Sequence, residues 1–320
     1  MNLSNSSESA YWVEAFGVLA FMGGSVSVLA NILILLAVAK GKVLSSKCYQ
    51  LMGNLALADL VSSCGFVFYG SLVFIGFTAK AGHPLSNRLC FLLNLPFGLS
   101  FPTSSFMILA IGCDRLLAVR LPTYYKNLPK GGYVRSVIGA AWLFGLLFLL
   151  LGFLAMDKAP VAACFQATAF RGPALYAWLL ATLCLNLGVL IVYAITAVYT
   201  RSHSDHGINE PHTHSARCIR TRQIMHSLYC IMLVFCFTSF ATVLIISTTT
   251  LLLPNTAPLT QFHASLYASL LANLNAGSNF FVYLRCSGEF RKALALLFHL
   301  QSTQEAVFST SNTFNSRVAV

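Results

Sequence analysis

Charge is scarce in this chain. Asp, Glu, Lys and Arg make up 9% of its 320 residues, against roughly 25% in ordinary soluble proteins. So few charges cannot cover a water-facing surface, and disordered chains are charge-rich and apolar-poor. Both classes are excluded. Acid is scarcest, with 9 Asp and Glu against 20 Lys and Arg. The apolar runs lack a strand period, which excludes a barrel of alternating segments about ten residues long. Neither Gly-x-Ser-x-Gly nor His-Glu-x-x-His occurs, so no intramembrane nucleophile or zinc constellation is visible and the chain reads as no enzyme. A leader pattern is missing too. Residues 1–14 hold Glu8 and Glu14 but no Lys or Arg, so the first apolar run is expected to be its own insertion signal.

Apolar residues are what remain: 57% of the chain, with 25 Phe and a mean hydropathy of +0.73. A spanning helix needs about 20 of them in sequence. Five runs qualify: Ala15–Ala39, Cys48–Ile75, Leu89–Cys113, Ser136–Met156 and Gly172–Thr200. Gln223–Leu284 then carries no Asp, Glu, Lys or Arg. As one helix it would be about 93 Å long, three bilayers deep, so it must break. Pro254-Asn255-Thr256-Ala257-Pro258 is the turn-forming cluster near its middle. The reading is an all-α membrane bundle of seven spans. Residues 1–11 form an outer segment, 12–298 the bundle, and 299–320 a Ser/Thr-rich cytoplasmic tail.

Cations in the connections set the orientation. With the N-terminus outside, all but four of the 20 Lys and Arg fall on the cytoplasmic side. The exceptions are Lys80, Arg88, Lys158 and Arg171. The net charge of +11 is therefore a membrane-insertion signature with lipid headgroups as partner, and implies no nucleic acid. This places the chain in the plasma membrane, multi-pass. Sequons at Asn2 and Asn5 fall in the outer segment and read as glycosylation sites. His203, His206, His212 and His214 crowd the third cytoplasmic loop without Cys-x-x-Cys or a fixed helical His pair, and read as a solvated loop rather than zinc ligands.

Polar residues inside the spans are functional candidates by default, because an ionised group at mid-bilayer costs several kcal/mol. Two carboxylates lie deep, Asp59 and Asp114, with the amides Asn31, Asn54, Asn275 and Asn279. They should converge on the bundle interior. One reading is an interhelical packing network, the other a hydrated ion pocket anchored by Asp59.

The order of these residues resembles the rhodopsin-like G-protein-coupled receptors. Asn31, the run Asn54-Leu55-Ala56-Leu57-Ala58-Asp59, and Asp114-Arg115 at the inner end of the third span carry the likeness. So do Pro122 and Tyr125, Trp142 alone in the fourth span, Asn279-Phe280-Phe281-Val282-Tyr283, and Phe290-Arg291 opening an amphipathic helix. The departures are Phe280 in place of a proline, the absence of the family's prolines from the fifth and sixth spans, no Cys-Trp-x-Pro in the sixth, Pro96 and Pro102 in the third, and Asp114-Arg115-Leu116. They look most like the nematode serpentine chemoreceptors of the Srsx type. The foot of the sixth span, Arg217–Arg222, has no acid to latch Arg115, so appreciable basal activity is expected.

The resemblance implies a receptor that activates a heterotrimeric G protein when its sixth helix swings outward. Asp114, Arg115, Pro122, Tyr125, Asn279 and Tyr283 would serve coupling. Cys90 and Cys164 match the family's disulfide pair. Asn31, Asp59, Ser104, Asn275 and Asn279 match its sodium pocket or a plain polar network. Phosphorylation of the tail would make it an arrestin site, and a chemosensory role would fit a sensory cilium. Amine receptors carry an Asp where this chain has Phe97, so the outer pocket, expected from Asn94, Phe97, Phe101, Ser269 and Asn273, suits a small apolar or weakly polar ligand. Alternative readings are a peptide or lipid receptor of the ordinary rhodopsin-like class, and a transporter or channel. The orientation and the missing inverted repeat count against the latter.

Overall fold

The computed structural model describes residues 3–40, 46–75, 85–161, 164, 166–206, 230, 232–252 and 258–298, without the side chains of 3–11, 13, 167–168, 201–206, 251–252 and 258–262. Several expectations fall outside these residues: Asn2, the side chain of Asn5, the loop histidines, the foot of the sixth span at Arg217–Arg222, the turn after Pro254, and the tail 299–320.

Helices make up the bundle, and among the described residues no strand forms beyond an isolated bridge between Ser86 and Pro160. Helix α1 (Leu3–Lys40) has 38 residues, about 57 Å by the rise of 1.5 Å per residue. Its apolar part is Glu14–Lys40, so the helix continues past that part toward the N-terminus. Helix α2 (Lys47–Phe74) starts where Ser46 accepts a cap bond from the Tyr49 N–H. The two helices pack closely because small residues face each other: a Cβ built on Gly70 would lie 2.7 Å from the Gly17 carbonyl oxygen. Close backbone approach of this kind drives helix association where the solvent is itself apolar.

The third span is divided. Helix α3 (Asn87–Leu93) ends at Asn94, and α4 (Leu95–Arg120) restarts with Pro96 in its first turn. Proline tolerates a first turn, where its missing N–H has no partner to lose. A short helix α5 (Pro122–Asn127) follows in the second cytoplasmic loop, then α6 (Lys130–Ala155). Leu143, Leu146, Leu147, Leu150, Phe153 and Leu154 of α6 are exposed, a lipid-facing surface no soluble protein would show. A one-turn helix, α7 (Gln166–Ala169), lies in the second outer loop, and α8 (Gly172–His206) is the fifth span.

The sixth span, described over 232–252, is not plain α-helix. Cys236–Phe240 and Thr248–Leu252 are π-helical, separated by α9 (Ala241–Ser247). The Ala241 N–H reaches back five residues to the Cys236 carbonyl. Thr238 Oγ1 donates to the Val234 carbonyl at 2.6 Å, and Thr242 Oγ1 to the Thr238 carbonyl at 2.8 Å. Hydroxyls that compete for helix carbonyls bend and loosen the ladder. The missing prolines of this span are thus offset by another device.

Among the described residues six helices are long and apolar enough to cross a membrane. The seventh span is α10 (Pro258–Cys286), whose 29 residues also suffice. Ser265, Ser269, Asn273, Asn275, Ser278 and Asn279 lower its hydropathy. They are half-buried or buried, while Tyr267, Leu274 and Phe281 face outward. Helix α11 (Gly288–Leu297) is amphipathic, capped where Ser287 accepts from the Phe290 N–H at 3.1 Å. It buries Phe290 and Ala293 and exposes Leu296, as a helix lying along the membrane requires.

Candidate functional site

The cytoplasmic end gathers four side chains from three elements. Asp114, fully buried near the end of α4, accepts from Arg115 Nε at 3.1 Å and Nη2 at 2.5 Å. Tyr125, from α5, donates its hydroxyl to Asp114 Oδ2 and accepts from Arg115 Nη2, each at 3.2 Å. Burial pushes the Tyr125 phenol up, the Arg115 cation pulls it down and the Asp114 carboxylate pushes it up again, so it stays a donor at neutral pH. Lys47, the first residue of α2, lies 4.4 Å from the centroid of the Tyr125 ring and donates to its backbone carbonyl at 2.5 Å. Arg115 is thus held inward by the second cytoplasmic loop. Pro122 only opens α5, where it is exposed. Tyr283 is buried with its ring 5.9 Å from Phe290 of α11. Lys47 escaped the sequence reading; a cation opening a span one short loop after α1 was the available signal.

Deeper in the bundle, Asp59 is buried with both oxygens engaged. Oδ1 accepts from the Ser104 hydroxyl and Oδ2 from the Asn279 amide, each at 2.8 Å. Two partners expected beside it point elsewhere. Asn31 donates to the carbonyls of Ser27 at 2.9 Å and Ala276 at 2.8 Å. Asn275 accepts from Thr238 Oγ1 at 2.9 Å, tying the seventh span to the π-helical turn of the sixth. Asn279, expected both here and at the coupling end, makes its bond in this cluster. A carboxylate, a hydroxyl and amides are ligands that a hard monovalent cation accepts. Among the described residues no group of three His, Cys, Asp or Glu could hold a metal.

Toward the outer face, Cys90 and Cys164 are bonded, with Cα atoms 5.4 Å apart. The bond ties the second outer loop to α3, and the loop also hydrogen-bonds α3 through Asn87 and Arg88. Held there, Gln166 donates to the Phe97 carbonyl at 3.2 Å and roofs a cavity. Its walls include Phe101, Ser104 and Ser105 of α4, Trp178 and Thr182 of α8, Ser239 and Thr242 of the sixth span, and Ser269 of α10. Asp59 and Asn275 line the same space, so the outer chamber and the polar cluster are continuous.

A second cavity adjoins it, lined by Phe16, Phe66, Tyr69, Asn94, Phe97 and Cys164. Phe101, Gln166 and Ser269 border both. Of the expected pocket residues, Phe101 and Ser269 face the main chamber and Asn94 and Phe97 the annex. Asn94 donates to the Cys90 carbonyl at 2.9 Å. Asn273 lines neither described cavity. It is turned toward α1, donating to the Ala20 carbonyl at 3.3 Å. The sequence reading missed Gln166, Trp178, Thr182, Ser239 and Thr242. The spacing Trp178, Thr182, Asn186 was the visible signal: polar groups one turn apart on one face of a span.

Comparison with known proteins agrees with this architecture. Residues 25–298 match the family described as serpentine type 7TM GPCR chemoreceptor Srsx. Adenosine receptor A2b of Bos taurus is 30% identical over 138 residues, 43% of this chain and 40% of that receptor. The Gallus gallus counterpart is 28% identical over 142 residues. The chain thus spans only about 40% of the length of these first relatives. Lysophosphatidic acid receptor 2 of Homo sapiens is 27% identical over 326 residues, 97% of this chain and 89% of that receptor.

Proposed function

This chain belongs to the Srsx family of serpentine seven-transmembrane G-protein-coupled chemoreceptors, and from that premise we propose that it converts binding of a small, weakly polar ligand into nucleotide exchange on a heterotrimeric G protein. The observation that carries the proposal is one continuous cavity, roofed by the disulfide-tied loop at Gln166 and reaching down to Asp59. Three of its walls come from α8, the sixth span and α10. A ligand there touches the helices whose rearrangement opens the cytoplasmic end, and shifts the equilibrium by binding one packing better than the other. Arg115, released from Asp114 and Tyr125, then offers five fixed donors to the partner's helix-terminal carbonyls.

A lipid ligand is the second reading, favoured by the near full-length match to the lysophosphatidic acid receptor. The cavity argues for a different ligand here, because among the described residues no Lys or Arg lines it to pair with a phosphate headgroup. The rest of the proposal follows the family: plasma membrane placement with an outer N-terminus, residues 12–298 as the receptor domain, a sensory cilium as site of action, an arrestin on the phosphorylated tail, and a sodium ion near Asp59. Arg115→Ala tests the signalling claim. Measured in the same cells, surface expression should persist while nucleotide exchange on a promiscuous G protein is lost. Full exchange with that variant would refute coupling through Arg115.

A further inference from the structure

Two residues that line the main cavity each carry a buried polar atom without a partner among the described residues: Gln166 Oε1, an acceptor, and the Trp178 indole N–H, a donor. Gln166 is 9% exposed and Trp178 4%. Both side chains line the cavity. A buried group left unsatisfied costs about 1–3 kcal/mol, so a ligand that pairs with both gains what the empty protein forgoes.

Three of the hydroxyls that line the cavity have their protons committed. Thr182 Oγ1 donates to the Trp178 carbonyl at 2.7 Å, and Ser269 Oγ to the Ser265 carbonyl at 2.8 Å. Thr242 Oγ1 donates to the carbonyls of Thr238 and Ala268, at 2.8 and 3.1 Å. Each therefore shows the cavity oxygen lone pairs. Among the described residues the walls thus offer these lone pairs beside the indole of Trp178 and the amide of Asn275. Asp59 is, among the described residues, the only ionisable one that lines the cavity, and both its oxygens already accept hydrogen bonds. Beside Gln166, the annex presents Phe66, Tyr69 and Phe97, a seat for a flat apolar group.

We propose that this cavity takes a neutral aryl amide or lactam, with its N–H donated to Gln166 Oε1, its carbonyl accepting from the Trp178 indole, and its ring in the annex. An amide supplies donor and acceptor on separate atoms at no net charge. This rests on reading the cavity as the receptor's ligand site, and names the ligand's chemical class.

The test measures binding to the purified full-length receptor, by thermal-shift titration without any G protein. The probes are matched pairs: hydrocarbostyril against dihydrocoumarin, and N-methylbenzamide against methyl benzoate. Each second member keeps the carbonyl and lacks the N–H. The amides should bind about tenfold more tightly than the esters, the worth of one hydrogen bond. Gln166→Met should erase that preference. Trp178→Phe, which keeps a ring against Phe170, should weaken amide and ester alike and leave the preference intact. Equal binding of amide and ester to the wild-type protein overturns the proposal, even where a variant fails to fold. So does binding of neither, or tighter binding of benzylamine than of the amides. A lactam that binds without changing nucleotide exchange leaves this assignment standing and removes the signalling one.

Discussion

Replacing Tyr125 by Phe isolates the resting contact on Arg115. The variant loses the hydroxyl that bridges Arg115 Nη2 and Asp114 Oδ2 and keeps the ring under Lys47. Both distances are 3.2 Å, long for bonds to charged groups, and the residue is only half-buried. The low end of the range applies, about 1 kcal/mol. If the hydroxyl acts only while Arg115 is held inward, that amount shifts the equilibrium about fivefold toward the released state. Basal nucleotide exchange, measured in membranes at matched surface expression, should rise about fivefold. Lys47→Met removes the cation that fixes Tyr125 from below, so it should also raise basal exchange. The double variant should gain less than the two single effects combined, because both act through one contact. An unchanged or lower basal rate in Tyr125→Phe would refute the idea that the second cytoplasmic loop restrains Arg115.

Asp59→Asn presents an amino group to either Ser104 or Asn279, both of which now donate to Asp59. Ligand-driven exchange should fall, and any sodium dependence of agonist affinity should disappear; sodium-dependent binding that survives would leave Asp59 a packing role only. Gly70→Leu forces α1 and α2 apart at the Gly17 carbonyl and should lower the melting temperature of the purified protein by the equivalent of about 1–3 kcal/mol. Gly139→Leu, where nothing lies within 4 Å of the added Cβ, should not; equal effects would mean that the small-residue contact does not set the packing.

The spans were legible because bilayer thickness imposes a length on every apolar run, and the cations gave the direction. Asp59, Ser104 and Asn279 were legible as a group because a buried carboxylate has to find donors. Position alone could not say which way an amide turns, so Asn31 and Asn275 were credited to Asp59 although their bonds go to Ala276 and Thr238. Asn273 failed for a related reason. It lies one turn from Ser269, but the inner face of α10 divides between the cavity and α1, and only the packing fixes where. Gln166 could not be found by periodicity at all, since a loop residue reaches the cavity only through the tether at Cys164. The sixth span shows the same limit in another form. Its lack of proline was plain, and the sequence offered no other sign of how the helix would run. Thr238 and Thr242 instead take carbonyls from the ladder, and the helix widens at Cys236–Phe240. Ser239 within that turn and Thr242 just after it line the ligand cavity, while Thr238 holds Asn275 of the seventh span. Widened turns mark bends and functional sites in helices. The place where this helix can bend is therefore also a place where a ligand touches it, so recognition and movement share the same few residues.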